Sequence, residues 1–136
     1  MIRIATLADL DAVTALHAGD SRADWAEAVE RGGALCAWLG DEIVGAAAYE
    51  EHGDAVVLTR FRVSPAHRRK GMGRQLHTGC VDVWRADQFT HATVEVPAGD
   101  ACALAFCAVQ DWVPAPGAPR SGDRLVLRLT LTSEPE

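Results

Sequence analysis

Hydrophobic residues near the start of the chain recur first at the period of a strand and then at the period of helices. Residues 2–5 predict a short strand. Apolar side chains at 10–16 then share one helical face, behind a capping-box pattern that begins at Thr6, and the helix is expected to stop at Gly19. The same capping pattern begins again at Ser21 and predicts a second helix that stops at Gly32. The chain is therefore expected to open with one strand and two helices.

The middle of the chain alternates at the period of strands. The stretches "ALCAWL" and "EIVGAAAY" flank Gly40-Asp41, a dipeptide suited to a two-residue hairpin turn. "AVVLTRFRV" follows after the polar turn "EEHGD". These three stretches predict three antiparallel strands.

The second half returns to alternating helices and strands. Apolar positions from Gly71 to about Asp87 lie on one helical face, and Gly79 beside them would permit a close backbone approach. "HATVEV" predicts a buried strand, and "DACALAFCAVQD" predicts an almost wholly apolar helix. Strictly alternating leucines from Leu125 to Leu131 predict a final strand, with "PAPGAPRSG" as a loop before it.

Length and composition fit one globular domain. The chain has 136 residues, of which 49% are hydrophobic, so we expect a single domain over 1–132 and a frayed tail at 133–136. The four cysteines have the spacing of neither a zinc site nor a disulfide framework, so we expect no metal and a reducing cytoplasm. The sequence contains no signal-peptide pattern and no apolar run of the ~20 residues that a membrane span needs. A net charge of -6 also disfavours nonspecific binding to nucleic acid.

The segment "SPAHRRKGMGR" departs from this acidic background, between a predicted strand and a predicted helix. The first amides of a helix lack intrahelical partners and attract anions. Gly71 and Gly73 would let a phosphate approach the backbone. The nearby cationic side chains are Arg68, Arg69, Lys70 and Arg74. A P-loop would need Lys-Ser/Thr after its last glycine, and a dinucleotide fingerprint would need a small residue where Leu76 stands, so we predict a pyrophosphate site of another kind.

Two motifs follow one another in a fixed order, "VSPAHRRKGMG" and "EVPAGDACALAFCAVQDW". The first contains Val-x-Pro and then Arg-x-x-Gly-x-Gly at a strand-to-helix junction. Together they resemble the acyl-coenzyme A signature of the GNAT superfamily of N-acetyltransferases, and the predicted order of elements is similar over nearly the whole chain. In the second motif Asp100 stands for a family asparagine, Cys107 for a tyrosine, and Asp111-Trp112 for Gly-Phe.

The resemblance implies an α/β (α+β) fold with a mixed, mostly antiparallel central sheet and flanking helices. In that fold the strand at 55–63 and the strand at 91–96 run parallel and splay apart. Acetyl-coenzyme A is the implied co-substrate, and its pantetheine arm would pair with the backbone of Phe61, Arg62 and Val63. Its phosphates would meet Arg68, Arg69, Lys70, Gly71, Met72, Gly73 and Arg74. Asp100 and Ala103 inherit further cofactor contacts.

The implied reaction is direct transfer of an acetyl group to a primary amine. A backbone N–H near Val63 would polarise the thioester oxygen. Glu95 is the candidate general base because it is the only ionisable residue of "ATVEV". Cys107 occupies the position whose tyrosine would protonate the leaving thiolate.

Simpler alternatives stand beside these roles. Glu95 could face solvent or pair with His91, and Cys107 could be a buried, inert thiol. A coenzyme A-binding sensor without turnover is the second function class, because the tyrosine is replaced. The acceptor is a small-molecule or peptide amine that the sequence does not identify, and a homodimer is left open.

Overall fold

The computed structural model describes residues 1–67, 70–115 and 123–131. The strands within these ranges are β1 (Ile2–Ile4), β2 (Ala34–Leu39), β3 (Glu42–His52), β4 (Ala55–Val63), β5 (His91–Pro97), β6 (Val113–Pro114) and β7 (Arg124–Thr130). The α-helices are α1 (Leu10–Thr14), α2 (Arg22–Glu30), α3 (Met72–Ala86) and α4 (Ala101–Val109), and single 3-10 turns cover Leu7–Asp9 and Pro65–His67. The chain divides into a first unit, Met1–Glu50 with Thr59–Val83, and a second unit, Glu51–Leu58 with Trp84–Glu136.

The strands of the first unit follow the order β1-β2-β3-β4. β1 and β2 pair antiparallel, as do β2 and β3. The predicted two-residue turn between β2 and β3 is confirmed, with Gly40 at φ +62°. At the far end of β4, the Ser64 amide donates a 2.7 Å hydrogen bond to the Val44 carbonyl. This bond continues the hairpin of β3 and β4 into the segment predicted to bind phosphate.

Of the two N-terminal helices, α1 is shorter than predicted, whereas α2 begins where the sequence predicts. The capping box at Thr6 is present, but α1 ends at Thr14, earlier than the predicted stop at Gly19. The Thr14 hydroxyl donates to the Leu10 carbonyl at 2.7 Å, a local bond that competes with helix continuation. α2 begins as predicted, because the Ser21 hydroxyl oxygen accepts the Asp24 amide at 3.1 Å.

The core of the first unit joins α1 and α2 to β2 and β3. Its members include Leu10, Val13, Trp25, Cys36 and Ile43. A Cβ at Gly79 on α3 would lie 2.7 Å from Cγ1 of Ile2 on β1, so the predicted close backbone approach is confirmed.

The second unit has the strand order β4-β5-β7-β6. β4 and β5 pair parallel from Ala55↔His91 to Leu58↔Val94, whereas β5 and β7, and β6 and β7, pair antiparallel. The predicted mixed, mostly antiparallel sheet is therefore confirmed. Divergence of the parallel strands farther along stays a prediction.

Two boundaries in the second unit were predicted wrongly. β3 continues through His52, so the turn before β4 contains only Gly53 and Asp54. Pro114, the first residue of the segment predicted as a loop, belongs instead to the short strand β6, where proline is tolerated because the strand lies at the edge of the sheet. The rest of that loop after Ala115, up to residue 122, and the tail at 133–136 lie outside the described residues.

α4 is almost wholly apolar, as predicted, yet none of its residues is buried. The apolar side chains of α4 are thus half-buried or exposed. Within residues 1–67, 70–115 and 123–131, no helix is long and apolar enough to cross a membrane.

Candidate functional site

The segment predicted to bind phosphate, residues 64–74, is called the phosphate segment below and lies at a strand-to-helix junction in the first unit. β4 ends at Val63, a 3-10 turn follows, and α3 begins at Met72. Gly71 immediately before α3 has φ +79°, and its carbonyl accepts the Gln75 amide at 3.0 Å. Glycine fits this left-handed conformation, which L side chains rarely adopt.

The space around Gly71 is open. A Cβ built on Gly71 would have no neighbouring atom within 4 Å. The amides of Met72, Gly73 and Arg74 are those that an α-helix leaves without intrahelical partners. An anionic group can therefore approach these amides without meeting a side chain at residue 71, and the fit to a coenzyme A phosphate is good.

The charged residues of this segment are only partly described. Lys70 and Arg74 are exposed, and Met72 is buried, so the backbone of Met72 rather than its side chain is available to a ligand. Arg68 and Arg69 lie outside the described residues.

His67, near the start of the phosphate segment, lies close to the β2–β3 hairpin. Its Nε2 atom lies 3.9 Å from Oε1 of Glu42. Its Nδ1 atom is buried without a hydrogen-bond partner in the part of the chain that the structure describes.

The three residues predicted to contact pantetheine are the last three of β4. Phe61, Arg62 and Val63 are all partly buried, and strand alternation places Arg62 on the opposite face from the other two. The Arg62 side chain binds Asp20, so a pantetheine contact from this residue would use its backbone.

Asp20 is the centre of a charged cluster that the sequence did not predict. Arg62 binds it with both Nε and Nη2, each at 2.9 Å, and the Trp25 indole N–H donates at 3.2 Å. Arg60 Nε lies 3.7 Å and His17 Nδ1 3.6 Å from the carboxylate. The Asp20 side chain is only 4% exposed, so these donors replace the water it has lost.

The electrostatics of this cluster favour the ionised carboxylate. Hydrogen bonding from Arg62 is the main cause that holds the pKa of Asp20 below its ordinary value, although burial opposes it. Asp24 binds Arg60 at 3.0 Å but is 52% exposed, so its pair is much more open to water. The one sequence signal for the cluster is the pair Arg60 and Arg62, which alternation puts on the same face of β4.

Glu95 lies on β5 in the second unit. It is exposed, and its register partner on β7 is Val126. His91, the alternative partner of Glu95, instead has Nδ1 2.9 Å from the Thr90 hydroxyl. The Glu95 carboxylate is therefore open to contact by a ligand.

Asp100 and Ala103 have a structural role in the same unit. The Asp100 carboxylate accepts the Ala103 amide at 3.0 Å and caps α4. A cofactor contact from either residue stays a prediction.

Cys107 is partly buried on α4. Burial, followed by the negative charge of Asp100, raises the pKa of its thiol. Cys36 and Cys80 are buried more deeply, and burial raises the pKa of each to about 12. All four cysteines are free. The protonated form of Cys107 is therefore favoured at neutral pH, which permits donation and disfavours a nucleophilic thiolate.

Asp111 replaces the glycine of the family motif but keeps the backbone conformation of a glycine. It has φ +71°, the conformation for which glycine is best suited. The Asp111 amide donates to the Ala108 carbonyl and the Trp112 amide to the Cys107 carbonyl, the two bonds of a Schellman motif. Trp112 is buried, as an aromatic residue at this position should be. Asp111-Trp112 therefore replaces Gly-Phe with the backbone geometry expected of that pair.

No group of three or more His, Cys, Asp or Glu side chains suited to a metal ion occurs in the described ranges. Residues 61–63 and 70–74 lie in the first unit, whereas Glu95, Asp100, Ala103 and Cys107 lie in the second.

Comparison with solved structures identifies the fold. The ribosomal-protein-S18-alanine N-acetyltransferase from Escherichia coli superposes with a TM-score of 0.86 at 19% identity, covering 100% of this chain and 96% of that one. PaiA N-acetyltransferase from Thermoplasma acidophilum, in complex with coenzyme A, gives 0.82 at 13%, covering 96% and 98%. A ribosomal-protein-alanine N-acetyltransferase from Brucella melitensis gives 0.78 at 22%, covering 96% and 99%.

Comparison of the sequence with curated proteins found no match. Comparison with protein families found the Acetyltransferase (GNAT) family over residues 4–108. This match includes the phosphate segment, β5 and nearly all of α4. The chain therefore belongs to the acetyltransferase (GNAT) family of acyltransferases, as its motifs predicted.

Proposed function

We propose that this protein is an N-acetyltransferase that moves an acetyl group from acetyl-coenzyme A to a primary amine by direct transfer. The observation that carries the proposal is Gly71 at φ +79° with open space beside it, at the head of α3 and within the family's coenzyme A motif. The coenzyme A bound in the PaiA structure supports the same ligand class.

Binding would rest mainly on backbone groups of the first unit. The amides of Met72, Gly73 and Arg74 would donate to a phosphate, while Lys70 and Arg74 add charge. Arg68 and Arg69 belong to the proposal on sequence alone. The backbone of Phe61, Arg62 and Val63 would pair with the pantetheine arm, and Asp100 and Ala103 are proposed to contribute at the start of α4.

Bound acetyl-coenzyme A supplies an acetyl group activated as a thioester. Glu95 would accept the proton of the acceptor amine, since it is exposed and can reach a ligand. The N–H near Val63 would donate to the oxygen on which negative charge develops. Cys107 is assigned a minor role as a proton donor, because its protonated form is favoured.

The acceptor is proposed to be a small-molecule or peptide amine. Two of the similar structures are named as acetyltransferases of a ribosomal-protein alanine, which makes a protein N-terminus one reasonable choice. We further propose one cytoplasmic domain over 1–132, without nucleic-acid or membrane partners, and leave open whether it forms a homodimer.

Two measurements test this function. Acetyl-coenzyme A should raise the melting temperature, because a ligand that binds only the folded state stabilises it. Thiol release should then appear with at least one member of an amine panel. No thermal shift and no heat of binding would overturn the proposal. Binding without thiol release from any amine would favour the sensor alternative.

A further inference from the structure

Arg128 on β7 has a buried hydrogen-bond donor for which the described part of the chain provides no acceptor. Its Nε atom is inaccessible to solvent and has no hydrogen-bond partner among the described residues. The residue as a whole is only partly buried. Leaving a charged donor unsatisfied is costly, and such an atom in a native fold calls for an explanation.

The strand register places Arg128 on the same face as Glu95. Arg128 lies directly opposite Thr93 of β5, and Val126 lies opposite Glu95. Because opposed residues of an antiparallel pair share a face, and residues two apart on a strand share one, these four side chains lie on one side of the sheet. All of them belong to the second unit.

The distance between the two charged residues suits a small ligand. Arg128 and Glu95 are diagonal neighbours on adjacent strands, a relation that separates backbones by about 7–8 Å and leaves long side chains within mutual reach. Val113 of β6, on the other side of Arg128, is 55% exposed, so that flank is open. One compact molecule could therefore meet both side chains.

We propose that Arg128 binds a carboxylate of the acceptor, and that the acceptor is an amine carrying such a carboxylate, as a free amino acid does. This inference rests on the proposed function, since Glu95 is taken as the base that receives the amine proton. A guanidinium group matches a carboxylate with parallel N–H donors, and Nε is one member of such a pair. Because Nε is buried, the Arg128 side chain would turn to present Nε to the bound carboxylate, which would then hold the amine toward Glu95.

The test compares free amino acids with their carboxamides, which have the same amine but lack the negative charge. Thiol release from acetyl-coenzyme A is measured for each pair with the unaltered protein, with Arg128→Gln and with Arg124→Gln. Arg124 is the matched control because it lies on the same face of the same strand, opposite Pro97, and is exposed. Calorimetry with N-acetyl amino acids and their carboxamides, in the presence of coenzyme A, gives a readout that needs no turnover.

We expect kcat/KM for at least one amino acid to exceed that of its carboxamide by about tenfold or more. Arg128→Gln should remove this preference through KM, with little change for the carboxamide, and Arg124→Gln should retain it. N-acetyl amino acids should show the same preference in binding.

Equal use of acids and amides by the unaltered protein would overturn the inference. So would a loss in Arg128→Gln that is equal for both and accompanied by a shifted pH–rate profile, because Arg128 would then only hold Glu95 ionised. If no amine releases thiol but N-acetyl amino acids bind through Arg128, the proposed reaction fails and the carboxylate site stands. If neutral amines are acetylated and carboxylates gain nothing, the reaction stands and the site fails.

Discussion

The phosphate segment of the first unit and the Glu95 face of the second belong to the same family pattern but follow it differently. In the first unit the motif glycine at 71 has the backbone conformation that only glycine adopts easily, and open space lies beside it. In the second unit Asp100, Cys107 and Asp111 replace motif residues, and Asp100 and Asp111 serve the geometry of α4. Binding through backbone amides leaves little room for substitution, whereas side-chain chemistry can be supplied in several ways.

The largest expected effect is on turnover and tests the side-chain chemistry proposed for the second unit. Glu95→Gln should lower kcat by about 10²–10⁴-fold while the Kd for coenzyme A changes little, because the variant loses a proton acceptor but keeps its size and polarity. Steady-state kinetics and calorimetry measure the two quantities. Glu51→Gln, another exposed glutamate of the second unit, should change neither. Unchanged turnover in Glu95→Gln would assign the base to another residue.

The Asp20 cluster tests whether the first unit depends on charge as well as on backbone. Asp20→Ala should lower the free energy of unfolding by about 2–4 kcal/mol, because it leaves the Arg62 and Trp25 donors without their acceptor. Denaturant titration measures the loss. Asp24→Ala removes a more exposed partner of Arg60 and should cost less than about 1 kcal/mol. Equal losses in the two variants would contradict the special role of the buried carboxylate.

The same cluster gives a dependence on pH. The pKa of Asp20 is lower in the folded protein than its ordinary value, so its contribution is complete above the ordinary value of about 3.9. That contribution is lost as pH falls through the folded pKa. The difference in stability between the unaltered protein and Asp20→Ala should therefore shrink on acidification below about pH 4, and a difference that grows there would contradict the assignment.

A third substitution separates backbone geometry from charge in the phosphate segment. Gly71→Val should weaken coenzyme A binding by about tenfold or more, since a β-branched residue is strained at φ +79°. Lys70→Ala should cost less, because an exposed charge is screened by salt. Gly40→Val is the matched control: Gly40 has φ +62° and equally open surroundings, so it should lose stability without losing affinity. A larger loss in Lys70→Ala would show that charge holds the ligand.

Much of the fold could be predicted because its signals are local. The Gly40-Asp41 turn, the Ser21 cap and the apolar face of α3 are each encoded within a few residues, and the structure confirms all three. The early end of α1 was missed because the hydroxyl of Thr14 competes with the helix in a way that periodicity does not register.

The candidate site was predictable only where backbone sets its geometry. Gly71 and Gly73 made the phosphate segment recognisable in the sequence. Asp20 and Arg62, in contrast, are 42 residues apart in the chain, and no local pattern links them. Arg128 was overlooked for a similar reason, since its relation to Glu95 depends on the register of β5 and β7. Long-range pairs of this kind need tertiary structure.

A smaller effect is expected at Cys107, the departure closest to the proposed chemistry. Cys107→Ala should lower kcat by less than about tenfold, because a thiolate leaving group needs little help and the partly buried thiol is a weak donor. Cys102→Ala, on the exposed side of the same helix, should leave kcat unchanged. A loss beyond a hundredfold with folding intact would make Cys107 a participant in the reaction, and its acetylation could then be sought by mass spectrometry.

The smallest expected effect is on stability and concerns the C-terminal ends of α3 and α4, which have the same backbone geometry. α3 and α4 each finish in a Schellman motif with a non-glycine residue in the left-handed position, Gln88 at φ 67° and Asp111 at φ 71°. Glycine should relieve this strain, so Gln88→Gly should raise the free energy of unfolding by about 1 kcal/mol. Asp111→Gly should gain less, because aspartate tolerates this conformation better than glutamine does. Neither variant should change kcat. A loss of turnover in Asp111→Gly alone would mean that the carboxylate at this position acts in the reaction, and the departure from the family glycine would then be functional.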